Sequence, residues 1–298
     1  MLQNFDPRNT DIQIFVKDKL YPRNDAKISV FDSSVQGGDA VWEGLRVYRE
    51  GIVCLNKHLD RLHESAKTLA FVDVPSKNLI KKAIKTTLEA NKMDEGAHIR
   101  LTLTRGEKIT SGMDPRLNQS GSCLIVLAEW KPLVYDNDHG IKVISTSQRR
   151  NSPQFLDSKI HHNNLLNNIL AKIQANVAGK DAGLMLDENG FVAELNGTNV
   201  FMIKNNKVYT PHAHACLPGI TRNSVIEMCQ KNTIDIAEAD LTLSQFYNAD
   251  GVFATGTMGE LTPIVEIDGR NIPLGNPLFS KILALFKAQV RKWCEPLD

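Results

Sequence analysis

The stretch 157-DSKIHHNNLLNNILAKIQAN-176 sets one lysine, Lys159, before two histidines and two asparagines, and a run of helical character follows. A helix is expected over 163–177, with Lys159 on the irregular approach just ahead of it, where a side chain is free to point into a cleft. Taken alone, Lys159 is one more solvated cation among 35 Lys and Arg, because most lysines are exposed. Its surroundings must decide whether it is a nucleophile instead.

Working outward, Ile141–Ser147 reads as a strand leading into this stretch, and Gly183–Leu186, the turn DENG and Phe191–Glu194 as a hairpin beyond it. A second hairpin is expected over 200–209 around Asn205-Asn206. Pro218-Gly219 opens a helix from Ile220 to Lys231, Val252–Ala254 is a strand, Ile264–Asn271 a hairpin and Pro277–Trp293 a helix. Upstream, Val41–Tyr48 pairs with Gly51–Leu55. Leu59, Leu62, Ala66 and Leu69 recur at helical spacing, and Lys77–Asn91 is a second amphipathic helix. Ile99–Thr104 alternates as a half-buried strand does, and Cys123–Ala128 reads as a more buried one. The stretch 129-EWKPLVYDNDHG-140 has little periodicity and reads as a linker. The expectation is an α+β chain of two domains, residues 1–128 and 141–298, joined by residues 129–140.

Composition narrows the function. A formal charge of +1 spread along 298 residues is no nucleic-acid footprint. No apolar run approaches a membrane span, and the first residues lack the basic-then-apolar pattern of a secretory signal, so a cytoplasmic protein is expected. Five widely spaced cysteines without a CxxC pair suggest reduced, mostly buried thiols. His161 and His162 are adjacent and cannot readily chelate one ion together, so no metal is expected.

A cofactor with an aldehyde, a phosphate and a pyridine ring would ask for three things: an amine, a phosphate cradle, and a carboxylate for the ring nitrogen. The chain can supply each. Lys159 offers the amine. Glu194, before the turn Leu-Asn-Gly197, offers a carboxylate. In CLPGITR, Gly219 allows close backbone approach, Ile220 begins a helix whose first N–H groups lack partners, and Thr221 adds a hydroxyl. Thr255-Gly256-Thr257 leaves a strand with two more hydroxyls, and Arg61 is a candidate bidentate partner. Plainer readings stand beside these: Glu194 as a turn cap, LPGITR as a well-formed helix start, and Arg61 as a surface ion pair with Glu64.

Six pieces in order, WEGLR, HLDRL, the lysine before NNLLNNILA, DENGFVAELNGTNVF, LPGITR and ATGTMGELTP, give a resemblance to the class IV aminotransferases. These are the fold type IV pyridoxal-phosphate enzymes, among them branched-chain and D-amino acid aminotransferases, (R)-amine transaminases and 4-amino-4-deoxychorismate lyases. The resemblance runs from about Val30 to Val265. It implies a small N-terminal and a larger C-terminal domain with the site between them, pyridoxal 5′-phosphate as cofactor, and a homodimer with the site near its interface. It implies Lys159 as the Schiff-base lysine and Glu194 as the ring-nitrogen partner. Arg61, Gly219, Ile220, Thr221 and Thr257 would meet the phosphate, and Leu217 would pack under the ring. Asn164 stands where branched-chain enzymes carry a tyrosine for the ring hydroxyl, and Gly37 where the family has an aromatic.

Trp42, Arg46, Arg100, Thr257 and Met258 would face the substrate, while Arg116, in TSGMDPRLNQ, resembles the carboxylate-holding loop of the D-amino acid enzymes. For Arg46, Arg100 and Arg116 a structural role is as good a reading. The expected reaction moves an amino group from an amino acid, a branched-chain-like L-amino acid favoured, to a 2-oxo acid such as 2-oxoglutarate. A D-amino acid or (R)-amine transaminase and a lyase of the aminodeoxychorismate type stay open, as does a non-catalytic homologue.

Overall fold

A computed structural model describes residues 4–297; residues 1–3 and 298, the outer ends of the two domains drawn above, lie outside it. The chain forms two compact units. One holds the chain up to Pro132, the short segment Ile160–Asn164 and the chain from Val290 on. The other holds Leu133–Lys159 and Leu165–Gln289.

The first unit carries Gln13–Val16 (β1), Lys19–Pro22 (β2), Ala40–Tyr48 (β3), Gly51–Val53 (β4), Ala97–Thr104 (β5), Cys123–Trp130 (β6) and, from the far end of the chain, Cys294–Glu295 (β16). Among the described residues they form one antiparallel sheet in the order β16-β4-β3-β5-β6-β1-β2. The short helix Ser33–Gly37 (α1) is followed by Leu55–Thr68 (α2) and Lys77–Asn91 (α3). On α2, Leu55, Leu59, Leu62 and Ala66 are fully buried, and on α3 Ile80 and Ile84 are too. Both stripes belong to one core with Leu45, Ile99, Leu101 and Val126 of the sheet. The strand Gly51–Leu55 expected from the sequence stops at Val53, because Cys54 turns left-handed (φ 49°) and Leu55 already starts α2.

The expected burial of β5 and β6 is reversed. Every residue of β5 except Arg100 is buried, whereas β6 alternates. β5 lies between β3 and β6, so its apolar face meets the core while its polar face, His98, Arg100, Thr102 and Thr104, is covered as well. Alternation in sequence marked two chemically different faces, both largely shielded from water.

The second unit carries Ile141–Ser145 (β7), Leu166–Val177 (α4), Ala182–Leu186 (β8), Val192–Leu195 (β9), Asn199–Lys204 (β10), Lys207–Pro211 (β11), Ile220–Lys231 (α5), Ile236–Ala239 (β12), Leu243–Tyr247 (α6), Gly251–Gly256 (β13), Glu260–Ile267 (β14), Arg270–Asn271 (β15) and Pro277–Val290 (α7). The strands form a mixed sheet, β12-β11-β10-β13-β14-β7-β8-β9 with β15 beside β14. Its hairpin turn Asn205-Asn206 takes positive φ at both residues (51° and 60°), as a type I′ turn requires. The last turn of the expected helix over 277–293 tightens to 3₁₀ at Arg291–Trp293.

The helix after Lys159 begins at Leu166 rather than Asn163. The intervening backbone is engaged elsewhere: Trp42 N donates to His161 O (2.9 Å) and Asn163 N to Ala40 O (2.8 Å), so residues 160–164 lie along β3. Lys159 therefore stands at a crossing point of the chain, six residues short of the helix whose approach it was expected to form.

Candidate active site

In the second unit, Glu194 is the third residue of β9, opposite Met185 of β8, and both are buried. Arg150, itself buried, donates from Nε to Glu194 Oε1 at 2.7 Å. Asn199, which starts β10, donates from Nδ2 to Glu194 Oε2 at 3.2 Å and to the Leu217 carbonyl at 2.9 Å. Burial pushes the Glu194 carboxyl above its ordinary range, and the Arg150 guanidinium pulls back without cancelling it. The result is a carboxyl with more than the usual appetite for a proton.

The Leu217 carbonyl lies just ahead of α5. Gly219 caps that helix without any side-chain hydrogen bond, so its first N–H groups are open to an anion. A Cβ at Gly219 would come within 2.1 Å of Asn199 Oδ1, so any other residue here must displace the Asn199 side chain. Leu217, Ile220, Thr221, Thr257 and Met258 are all partly exposed. The Met258 carbonyl accepts from Val134 N at 3.0 Å. Thr198 and Thr255, next to Gly197 and Gly256, have buried hydroxyl oxygens without a partner among the described residues. Lys159 keeps a half-exposed side chain, with Asp157 Oδ1 3.9 Å from its Nζ.

The first unit holds a separate polar cluster. Glu43 on β3 is fully buried and takes His58 Nδ1 at 2.6 Å, His161 Nδ1 at 3.0 Å and a two-pronged contact from Arg61, Nε at 2.8 Å and Nη2 at 2.7 Å. Burial opposes ionisation of Glu43, but the pull of His161 and Arg61 overrides it and holds the carboxyl well below its usual range. Burial pushes His161 down to about 4 while Glu43 pulls it up, and Arg61 is the permanent cation facing Glu43. Arg61 is thus no surface ion pair with Glu64.

Beside this cluster the Arg100 guanidinium lies 3.4 Å from the Trp42 ring centre, and its Nη2 donates to Asn163 Oδ1 at 2.6 Å. Trp42 also packs against the His161 ring, 4.2 Å between centres. Arg46 donates to the Lys131 carbonyl. Arg116 pairs with Asp114, two residues away, and its side chain is 89% exposed. Asn164 is exposed, the outermost of the segment along β3.

The structure thus brings Glu194, Leu217 and Gly219 to Asn199, with Ile220 and Thr221 next along α5, and sets Arg100 on Asn163 and Trp42 on His161 and His162. It does not collect Arg116 with Trp42, Arg46 or Arg100 in any described contact. Sequence reading missed Arg150, Asn199 and the Glu43 network. QRRN after a strand and the Asn in GTNVF were visible, but nothing local says that either meets Glu194.

The family model for amino-transferase class IV matches residues 40–267. A branched-chain-amino-acid aminotransferase-like protein 2 of Arabidopsis thaliana is 58% identical over 269 residues, 90% of this chain and 48% of that protein. The chain therefore spans about half the length of that relative. A branched-chain-amino-acid aminotransferase of Pseudomonas aeruginosa is 34% identical over 88% of this chain and 87% of its own. Among solved structures, a branched-chain aminotransferase from the thermophilic archaeon Thermoproteus uzoniensis, in complex with norvaline, superposes with a TM-score of 0.88 at 27% identity, covering 97% of this chain and 100% of that one.

Proposed function

The chain belongs to the class IV aminotransferases, and on that footing we propose that it is a pyridoxal 5′-phosphate-dependent transaminase with Lys159 as its catalytic residue. The observation that carries the reading is the second unit's donor set. A buried Glu194 carboxyl held by Arg150 and Asn199, a helix start where a glycine lets Asn199 approach closely and two unpartnered buried hydroxyls suit a ring nitrogen at one end and a phosphate at the other.

Bound there, the cofactor supplies an aldehyde for amine exchange and a ring that draws off the electron pair left by the departing α-proton. Lys159 Nζ takes that proton from the donor's α-carbon and returns one to the acceptor's α-carbon in the second half of the cycle. Glu194 holds the proton on the ring nitrogen. The N–H groups of Ile220 and Thr221, with the Thr221 and Thr257 hydroxyls, bind the phosphate at the α5 N-terminus. Arg61 is a further phosphate contact whose guanidinium plane is fixed by Glu43. Leu217 packs under the ring, and Asn164 takes the place of the ring-hydroxyl partner. Trp42, Arg46, Arg100 and Met258 face the substrate. Arg116 is the weakest of these assignments, since it is spent on Asp114.

The names of the relatives support a branched-chain-like L-amino acid as donor, with 2-oxoglutarate a compatible acceptor. Spectral titration of the holoenzyme with L-leucine, L-glutamate, D-alanine and a chiral amine tests this. Bleaching of the cofactor band by L-leucine and L-glutamate is expected, with one equivalent of oxo acid released when no acceptor is present. A response to D-alanine alone overturns the donor, continuous turnover without acceptor makes the protein a lyase, and a band indifferent to every amine removes the activity.

The assembly proposed is a homodimer. Helix α4 is built inside out for an isolated chain: Ala171 and Ala175 are fully buried, while Leu166, Ile169, Leu170, Ile173 and Val177 are 47–85% exposed along one stripe. The helix's one charge, Lys172, is tied to the Asp181 carbonyl. A neutral apolar stripe meets its own two-fold mate without like-charge cost, which supports a second copy as its cover. Among the described residues no helix is long and apolar enough to cross a membrane, and the five cysteines form no disulfide. A cytosolic setting is proposed with the activity.

A further inference from the structure

Arg150 and Asn199 carry no role in the reading above, although both are buried side chains spent on one carboxylate. Glu194 accepts from Arg150 Nε on one oxygen and from Asn199 Nδ2 on the other. An ionised carboxylate offers about four acceptor sites. Two are filled by these side chains, one on each oxygen, and the carboxylate is left oriented with room for a further donor.

Each of the two residues is itself held. Arg150 N donates to the Leu186 carbonyl at 2.9 Å, and Arg150 Nη1 donates to Asn167 Oδ1 at 2.6 Å and to Asn168 Oδ1 at 3.4 Å, on the first turn of α4. Asn168 in turn donates to the Asn196 carbonyl at 3.0 Å, on the turn that follows Glu194. Asn199 ties Glu194 to the Leu217 carbonyl, and its Oδ1 occupies the space that any Cβ at Gly219 would need. One carboxamide therefore sets both the buried carboxylate and the loop that opens α5. A buried ion pair is a poor way to gain stability, because apolar residues of similar volume often do as well or better. Its presence near a strand end beside an open helix start points to orientation as the purpose.

We propose that Arg150 and Asn199 are positioning residues that keep Glu194 ionised and aimed, so that its free acceptor site receives the ring-nitrogen proton of the cofactor; this rests on the cofactor assignment above. The prediction is specific to one atom of the ligand. Apo protein is titrated with pyridoxal 5′-phosphate and with its 1-deaza analogue, in which CH replaces the ring nitrogen, and binding is followed by absorbance.

Wild type should prefer the natural cofactor by about tenfold or more, the scale of one charge-assisted hydrogen bond. Arg150→Met and Asn199→Leu should erase most of that preference by weakening the natural cofactor alone, leaving the deaza analogue within about twofold of wild type. Arg150→Lys, which keeps the cation, should recover part of the preference. Should Arg150→Met not fold, Arg150→Lys and Asn199→Ser carry the test through a graded loss of the same ratio. Equal weakening of both ligands in folded variants overturns the proposal and makes the pair scaffold. A wild type that does not distinguish the two ligands overturns the Glu194 assignment itself, and this proposal with it.

Discussion

Glu43 and Glu194 are both shut away from water, and their acidities move in opposite directions. Burial raises the affinity of each for a proton; the donors around them decide the outcome. Glu43 meets two N–H groups of Arg61 and two histidine rings, so its acceptor sites are filled and it is locked as an anion. Glu194 meets one N–H each from Arg150 and Asn199, and burial wins. A saturated carboxylate organises the protein around it. An unsaturated one keeps something to offer a ligand.

The sharpest way to break that contrast is to delete both. Glu43→Ala strands Arg61 in the interior and should cost roughly 3–5 kcal/mol of unfolding free energy, read by urea denaturation of the apo protein. Glu194→Gln, which keeps the shape, should cost clearly less stability while abolishing preference for a cofactor with a ring nitrogen. Equal losses of stability would erase the distinction.

Acid should find the Glu43 region first. His161 is held near 4 and His98 near 3, the latter by burial and by the nearby Lys131, Arg46 and Arg100 charges. Both values lie below that of an exposed histidine, so between about 6.5 and 4 the unfolded chain takes protons that the native one refuses. Stability therefore falls as pH drops through that window. His161 alone is worth on the order of 3 kcal/mol there. Unfolding curves at several pH values check this, and His98→Gln should show a shallower decline.

On the Glu194 side, Gly219→Ala drives a methyl against Asn199 and should cost about 1–3 kcal/mol, with weaker cofactor binding by titration. The smallest effect on stability belongs to α4: Ile173→Lys should change unfolding by no more than about 0.5 kcal/mol while converting a dimer to a monomer in sedimentation velocity. A dimer that survives this change would move the interface elsewhere.

Much of this was legible in the chain. The helices over 55–68, 77–91 and 220–231 announce themselves by periodicity and by PG punctuation, and the Asn205-Asn206 hairpin by its turn residues. Glu194 and the LPGIT helix start could be named because each is a local pattern. What stayed hidden depends on partners far away in sequence. Arg150 reaches Glu194 across 44 positions and His161 reaches Glu43 across 118. Asn163 and Asn164 read as the start of the helix because a helical run follows directly after them, yet the backbone of residues 160–164 is claimed by β3. Short strands such as Ile236–Ala239 and Cys294–Glu295 carry too few residues to show a period at all.

The two-residue strand β16 has a consequence for how the molecule is made. It supplies the outermost ribbon of a sheet whose other members are complete by Trp130, and it pairs with Ile52 and Val53. During synthesis the early sheet must therefore wait, one margin bare, while well over a hundred further residues leave the ribosome. At translation speeds of about 5–20 residues per second that wait lasts several seconds or longer. A chaperone that shields a strand margin would find its client in that interval.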